Sequence, residues 1–212
     1  MEEKRMPVEE ITRFLCGDER KEKREIHMKL ALHCAPFLKG MKESAMLTLP
    51  RRQSVELAKM AAAAGLSWYF LCHDGGRDMI LLYRKEKYLK YLTQPRVAEF
   101  LEKQGYPARK EVDSGIYFWL YRNLAHLAGR MKQYASGEQG FPHEIGVFLG
   151  YPVEDVEGYM QNDGKNFLLV GYWKVYGEKE QALRLFASYD EAREQTVREV
   201  LAGKELVQLC VS

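Results

Sequence analysis

The chain lacks the long apolar run that a membrane-spanning helix needs. No window of its 212 residues approaches ~18 uninterrupted apolar positions. The first residues, MEEKRMPVEEITRF, contain neither an apolar signal core nor a cleavage site. The four cysteines are scattered without a CxxC pair, which is typical of reduced thiols rather than of a disulfide framework. Together these absences predict a cytoplasmic protein.

An excess of charge of one sign is missing as well. Lys and Arg number 32 and Asp and Glu number 30, which leaves a net charge of +2. This balance favours neither nucleic acid nor an acidic membrane as a partner. Apolar material, in contrast, is plentiful. Because 46% of the residues are hydrophobic and 12% are aromatic, we expect a folded chain with a sizeable core.

Helix and strand signals alternate through the chain. They predict helices at 11–15, 22–38 (broken at Pro36), 54–64 (capped by Ser54), 85–92, 96–104, 116–131, 178–189 and 191–202, and strands at 45–49, 66–72, 79–84 and 166–176. The strands within 66–84 form a predicted hairpin, whose loop of several residues is the turn cluster HDGGRD.

The order of these elements predicts the fold class. From 45 to 105 it is β-α-β-β-α, and the strand at 166–176 adds a fourth β after a helical insertion, as in the split β-α-β plan of ferredoxin-like folds. We therefore predict an α+β fold with a small, mostly antiparallel sheet, several packed helices and a helical insertion. We expect one domain over 1–212, with a candidate sub-boundary at 135–140, before a helical corner and an aromatic strand at 141–177.

Residues 140–162 combine two helix starts with a glycine stop. Pro142 and Glu144 suit the first turn of one helix, Gly150 ends it, and Pro152 begins the next. The spacing matches a helix-turn-helix, which would suit a DNA-binding regulator. However, the second helix, PVEDVEGYMQ, carries three carboxylates and no Lys or Arg, so it would repel phosphates. We expect a packed helical corner, and nucleic acid is a disfavoured partner.

Three short strings carry a resemblance to a known family. They are LHCAPFLKGMK (32–42), FPHEIGVFLGYPVEDVEGYM (141–160) and GYWKVYG (171–177). Together they resemble a family of uncharacterised bacterial proteins found mainly in anaerobic Firmicutes, the domain of unknown function three-seven-nine-three. The resemblance covers most of the chain as far as Tyr189. It implies a bacterial cytoplasmic protein of this length, and it implies no reaction, cofactor or functional residue.

A cysteine-histidine pair is the sharpest enzymatic hypothesis. Cys34 lies beside Pro36 near a predicted helix end, and the fold could bring His143 to it. Glu144 or Asp155 could then orient the imidazole, which would give a Cys-His-carboxylate arrangement for acyl or thiol transfer. The alternative is that Cys34 is a small buried core residue, because no nucleophile signature surrounds it.

Metal binding is a second hypothesis. His33-Cys34 and Cys72-His73 are adjacent pairs of metal-binding residue types. Adjacent residues point apart on a helix or strand, so a site would take one residue from each pair. The predicted ligands are His33, Cys72 and His143, for zinc or iron. The alternative is surface histidines and core cysteines without a metal.

The aromatic strand near the end of the chain is a third candidate. Alternation places Tyr172, Lys174 and Tyr176 on one face, where they could form a platform for a ligand. The other face, with Trp173, would then pack in the core. The aromatic helix 117–121 is more typical of a core or a subunit interface than of a cofactor site.

No complete catalytic signature or nucleotide motif accompanies these features. Our leading hypothesis is therefore a cytoplasmic binding or accessory protein. It would hold a small ligand, a metal or a partner protein in a cleft between the sheet and the 142–162 corner. A cysteine-dependent enzyme is the alternative, and the sequence leaves the cofactor and the oligomeric state open.

Overall fold

The structure is a computed structural model that describes residues 21–109 and 115–211. The predicted helix at 11–15 lies outside these ranges. The described residues form α1 (Lys21–Leu38), β1 (Ser44–Pro50), α2 (Arg51–Ala63), β2 (Ser67–Asp74), β3 (Arg77–Tyr83), α3 (Lys85–Leu92), α4 (Pro95–Lys103), α5 (Ile116–Ala135), α6 (Ile145–Phe148), α7 (Val153–Gln161), β4 (Leu169–Val170), β5 (Lys174–Val175), α8 (Lys179–Leu201) and α9 (Leu206–Leu209). The predicted α+β class is confirmed.

The main sheet has three strands in the order β1-β3-β2, and both pairings are antiparallel. β1 and β2 therefore run parallel, with α2 between them in sequence and β3 between them in the sheet. This is a split β-α-β unit. The turn from β2 to β3 is tighter than predicted, since only Gly75 and Gly76 connect the strands. Their φ angles of 53° and 79° suit the two-residue turn that matches the twist of a hairpin.

Helices cover both faces of this sheet. Along β3, the side chains of Leu81 and Tyr83 belong to one apolar cluster, while those of Ile80 and Leu82 belong to another. The alternation follows the strand period of two. The first cluster takes its other members mainly from α3 to α7, and the second takes them from α1, α2, α8 and α9. The helical corner α6-α7 thus shares a core with one face of the sheet.

The predicted fourth strand at 166–176 is wrong. Residues 169–170 and 174–175 instead form two short strands that pair only with each other among the described residues. Gly171 lies between them with the Phe186 ring directly against it, where a Cβ atom would fit only if the ring moved. The chain can therefore turn back here, and the resulting hairpin packs on α8.

Several predicted helix boundaries also need correction. α2 begins at Arg51, directly after Pro50, so Ser54 lies inside the helix and caps nothing. α1 continues through Pro36, which lies in its last turn. α8 is one helix of 23 residues rather than two. The hydrogen bonds of its interior are not interrupted at Asp190, whose carboxylate accepts from the Tyr172 hydroxyl at 3.0 Å.

Candidate functional site

The helical corner is built on close contact between α6 and α7. Gly150 ends α6 with a φ of 75°, a conformation that glycine adopts without steric cost. At Gly146, a Cβ atom would lie only 2.8 Å from Cγ2 of Val156 and 3.1 Å from Cδ2 of Tyr151. Glycine therefore lets the two helices approach each other. The predicted packed corner is what the structure contains.

A cavity of about 360 Å³ opens beside this corner, which we name the corner cleft. Most of its lining comes from the corner and the residues just before it, two residues come from the β4-β5 hairpin, and Met46 comes from β1 of the main sheet. Its lining is mainly apolar and aromatic and consists of Met46, Phe141, His143, Ile145, Gly146, Leu149, Tyr151, Asp155, Val156, Tyr159, Trp173 and Lys174. A cleft of this size with few polar groups has the composition of a small-molecule site.

Asp155 ties the hairpin to α7. It is 4% exposed, and its Oδ2 accepts from Nε1 of Trp173 at 2.7 Å. Its Oδ1 accepts from the backbone N–H groups of Tyr176 at 2.7 Å and Gly177 at 2.9 Å. These donors satisfy a buried carboxylate that would otherwise be costly. Asp155 therefore fixes the position of Trp173, whose indole forms one wall of the corner cleft.

Lys174 brings a cationic group to the cleft. Its Nζ donates to the carbonyl oxygen of Gly164 at 2.8 Å and lies 5.6 Å and 4.9 Å from the ring centroids of Tyr159 and Phe167. An ammonium group over aromatic faces is held by their negative quadrupole. Because one of its three N–H donors is used by the carbonyl, two remain for a ligand.

His143 lies at the cleft without the carboxylate that the sequence suggested. Its exposed imidazole contacts the rings of Phe141 and Tyr159, at centroid distances of 5.5 Å and 4.7 Å. The Glu144 side chain points away from His143 and is 2% exposed. Its Oε1 accepts from Nε of Arg130 at 2.9 Å and from the Tyr106 hydroxyl at 3.2 Å.

Cys34 lies in the other core cluster, on the opposite face of the sheet from the corner. It is 1% exposed and is not among the residues that line the corner cleft. Burial raises the pKa of its thiol to about 12, and the nearby Lys42 ammonium offsets this only in part. A thiol with such a pKa is almost wholly protonated at neutral pH and is a poor nucleophile. The geometry therefore lends the Cys34–His143 pair no support.

The predicted metal ligands do not come together. Within residues 21–109 and 115–211, no group of three or more His, Cys, Asp or Glu side chains is placed to hold a metal ion. His33 is exposed on α1, Cys72 is a β2 residue whose side chain is 3% exposed, and His143 lies at the cleft. The geometry of the described residues therefore gives no support to a site of His33, Cys72 and His143, because the three lie on separate elements.

The structure separates the residues of the predicted platform, Tyr172, Lys174 and Tyr176, because each packs against a different part of the protein. Tyr172 packs on α8, with its ring centroid 5.5 Å from that of Phe186, and Tyr176 covers Gly158 on α7. Lys174 alone of the three lines the cleft. The hairpin twists and turns within a few residues, so alternation does not hold the three side chains on one flat face. Trp173, predicted for the core, is buried as expected.

Sequence reasoning missed the aromatic lining contributed by Phe141, Tyr151 and Tyr159. The signal was present, since all three lie in the string 141–160. The stacking of the Tyr151 ring on Trp173, at a centroid distance of 4.9 Å, could not be read from that string. This contact depends on where the β4-β5 hairpin packs, and Trp173 lies 22 residues after Tyr151 in the chain.

In the described part of the chain, no helix has both the length and the apolar character required to cross a membrane. Comparison with curated proteins and with solved structures gave no match. A family model described as a protein of unknown function (DUF3793) matches residues 30–210. That range includes the corner, the cleft and the hairpin. The chain therefore belongs to the DUF3793 family.

Proposed function

We propose that the protein is a binding or accessory protein that holds a small carboxylate with an apolar body in the corner cleft. The observation that carries this proposal is the pairing of a mainly apolar cavity of about 360 Å³ with the fixed ammonium group of Lys174. The volume lies at the low end of the ~300–1,000 Å³ typical of small-molecule sites. A compact apolar molecule suits it better than a peptide or a nucleotide.

The charges around the cleft support an anionic group on the ligand. Asp155 also lines the cavity, but both its oxygens already accept hydrogen bonds from Trp173 and from two backbone N–H groups. Those donors compensate its charge locally. Lys174, in contrast, has N–H donors to spare, and a carboxylate is the partner that forms the stronger, charge-assisted bond with them.

A cytoplasmic location belongs to the same proposal. The cysteines that the structure describes, Cys34, Cys72 and Cys210, are all unpaired. Free thiols are typical of reducing compartments. Fractionation of the source cells with an antibody against the protein tests this point, and recovery outside the cytoplasmic fraction would contradict it.

The binding proposal can be tested with the tryptophans as reporters. The chain has three, Trp68, Trp119 and Trp173, so an NMR spectrum of the ¹⁵N-labelled protein contains three indole N–H signals. Trp173 lines the cleft, whereas Trp119 donates to the Pro107 carbonyl elsewhere and serves as an internal control. We would titrate straight-chain and aromatic carboxylates, each beside the corresponding primary amide. We expect carboxylates to move the Trp173 signal at lower concentrations than their amides.

The variant Lys174→Met removes the ammonium group and keeps an apolar stem. Loss of one charge-assisted hydrogen bond is worth about 1.5–3 kcal/mol, so the preference for carboxylate over amide should fall by at least about tenfold. Lys165→Met is the matched control, because Lys165 is exposed in the neighbouring loop and does not line the cleft. The proposal is wrong if no compound moves the Trp173 signal, or if Lys174→Met leaves the carboxylate preference intact.

A further inference from the structure

A second cavity, of about 450 Å³, lies against the β2-β3 hairpin and α2. We name it the hairpin slot; its lining includes the charged and aromatic side chains of Arg51, Trp68, Phe70, His73 and Asp78. Phe70 is opposite Ile80 in the sheet register, and Ile80 faces the cluster away from the corner. The slot and the corner cleft are therefore separate cavities on opposite faces of the sheet.

A histidine-carboxylate pair lies at one end of the slot. His73 and Asp78 are cross-strand partners in the β2-β3 register, with 2.7 Å between Nδ1 and Oδ1. Asp78 is 6% exposed. Burial would raise the pKa of this carboxyl, but the hydrogen bond with His73 and the positive charge of nearby Arg51 contribute to a net lowering of the pKa. The group is therefore a carboxylate at neutral pH.

The charge of Asp78 determines which nitrogen of His73 is left for a ligand. A carboxylate can only accept hydrogen bonds, so the proton of the neutral imidazole must be on Nδ1. Nε2 then carries a lone pair and is a hydrogen-bond acceptor. The side chain of His73 is 43% exposed, so this acceptor is open to a molecule that enters the slot.

Aromatic surface lies along the rest of the slot. Trp68 and Phe70 project from β2, which is an edge of the three-stranded sheet, and they are 43% and 45% exposed. These exposures refer to the described part of the chain. Large aromatic side chains at alternate positions offer their faces and edges to a flat ring. Arg51, which is also exposed, adds a planar cation that stacks readily on aromatic rings.

We propose that the hairpin slot is a second ligand site, which takes a planar aromatic molecule of the phenol class. Its ring packs against Trp68 and Phe70, and its hydroxyl donates to Nε2 of His73. Asp78 holds the imidazole in the tautomer that accepts this bond. Aliphatic molecules lack the flat face that the slot presents, and aromatic ethers lack the donor that His73 requires.

The test compares para-chlorophenol with para-chloroanisole, its methyl ether, which has the same ring and no hydroxyl donor. Titrated into the full-length ¹⁵N-labelled protein, both should move the indole signal of Trp68, while the Trp119 signal stays fixed as a check on the fold. We expect the phenol to bind about fivefold more tightly than the ether, because only the phenol has a hydroxyl that can donate to Nε2 of His73. The phenol should also change the ¹⁵N shift of Nε2 in His73.

Two variants complete the experiment. His73→Leu should bind the phenol and the ether equally, with the affinity for the ether close to that of the wild-type protein. Lys165→Met, at an exposed position that lines neither cavity, should leave both affinities unchanged. Equal binding of the two compounds by the wild type, an unmoved Nε2 shift, or a response confined to Trp173 would each overturn the proposal. If His73→Leu fails to fold, the Nε2 shift of the wild-type protein still decides the question.

Discussion

Replacing Asp155 with alanine should release the β4-β5 hairpin from α7. The change removes the acceptor of three hydrogen bonds, from Nε1 of Trp173 and from the N–H groups of Tyr176 and Gly177. Hydrogen bonds to a charged group contribute about 1.5–3 kcal/mol each. Gly177 is exposed, so water can replace its partner, and the first two bonds dominate the loss.

The expected destabilisation is about 3–5 kcal/mol. It is smaller than a sum over three charged bonds, because the variant no longer has to bury a carboxylate. Asp155→Asn should cost roughly half as much, since an amide has one acceptor oxygen and can serve either the indole or the two backbone donors. The β4-β5 hairpin has only two residue pairs, so local opening should precede global unfolding.

Amide hydrogen exchange separates these two kinds of opening. A local loss of about 3 kcal/mol corresponds to a more than hundredfold faster exchange of the Tyr176 amide and the Trp173 indole. Denaturant unfolding followed by circular dichroism gives the global change. Glu154→Ala is the matched control, because this neighbouring carboxylate is half-buried and, among the described residues, has one ion pair, with Arg96 at 3.4 Å. This variant should cost under about 1 kcal/mol. An Asp155→Ala variant that behaves like this control would refute the reasoning.

Two further predictions concern stability. Gly158→Ala would place a Cβ atom 2.5 Å from Cγ of Tyr176 and should lower the free energy of unfolding by about 1–3 kcal/mol. Gly129→Ala, in open space on α5, should raise it by up to about 1 kcal/mol, so the melting temperatures of the two variants should move in opposite directions. Nε2 of His27 accepts from the backbone N–H of Leu206 at 3.0 Å, and burial lowers the pKa of this imidazole below its ordinary value of 6.5. Because burial disfavours the protonated imidazole in the folded protein, the stability that neutral His27 contributes is complete above pH 6.5 and is lost as the pH falls toward the lowered pKa. Urea midpoints from pH 8 to pH 5 should show this decline, and a His27→Gln variant with the same slope would contradict it.

The parts of the fold that depend on neighbouring residues could be predicted from the sequence. The β2-β3 hairpin follows from two apolar runs around Gly75 and Gly76, and the α6-α7 corner follows from Pro142, Gly150 and Pro152. Each of these glycines and prolines determines the backbone conformation only of residues close to it in the chain. The family resemblance on 141–160 was likewise confirmed, since the matched range of 30–210 contains it.

The parts that depend on distant contacts could not be predicted. The run 166–176 has the composition of a strand, but its path is decided by Phe186 at Gly171 and by Asp155 on α7. Glu144 is adjacent to His143 in sequence, yet it bonds Arg130 on α5, because neighbouring residues point in different directions around a helical turn. Adjacency in the sequence therefore does not bring the Glu144 carboxylate to the His143 imidazole.

In the proposed function, ligand binding in the corner cleft is coupled to the stability of the hairpin. Trp173 and Lys174 form one wall of the cleft, and the same hairpin is held to α7 by Asp155. A ligand that binds only the closed form must stabilise that form, by RT ln(1 + [L]/Kd). Asp155→Ala should therefore weaken the binding of a carboxylate, although it removes a negative charge from the lining of the cleft, because part of the binding free energy is then used to close the hairpin. Conversely, the ligand should slow exchange at the Tyr176 amide, which lies outside the lining of the cleft.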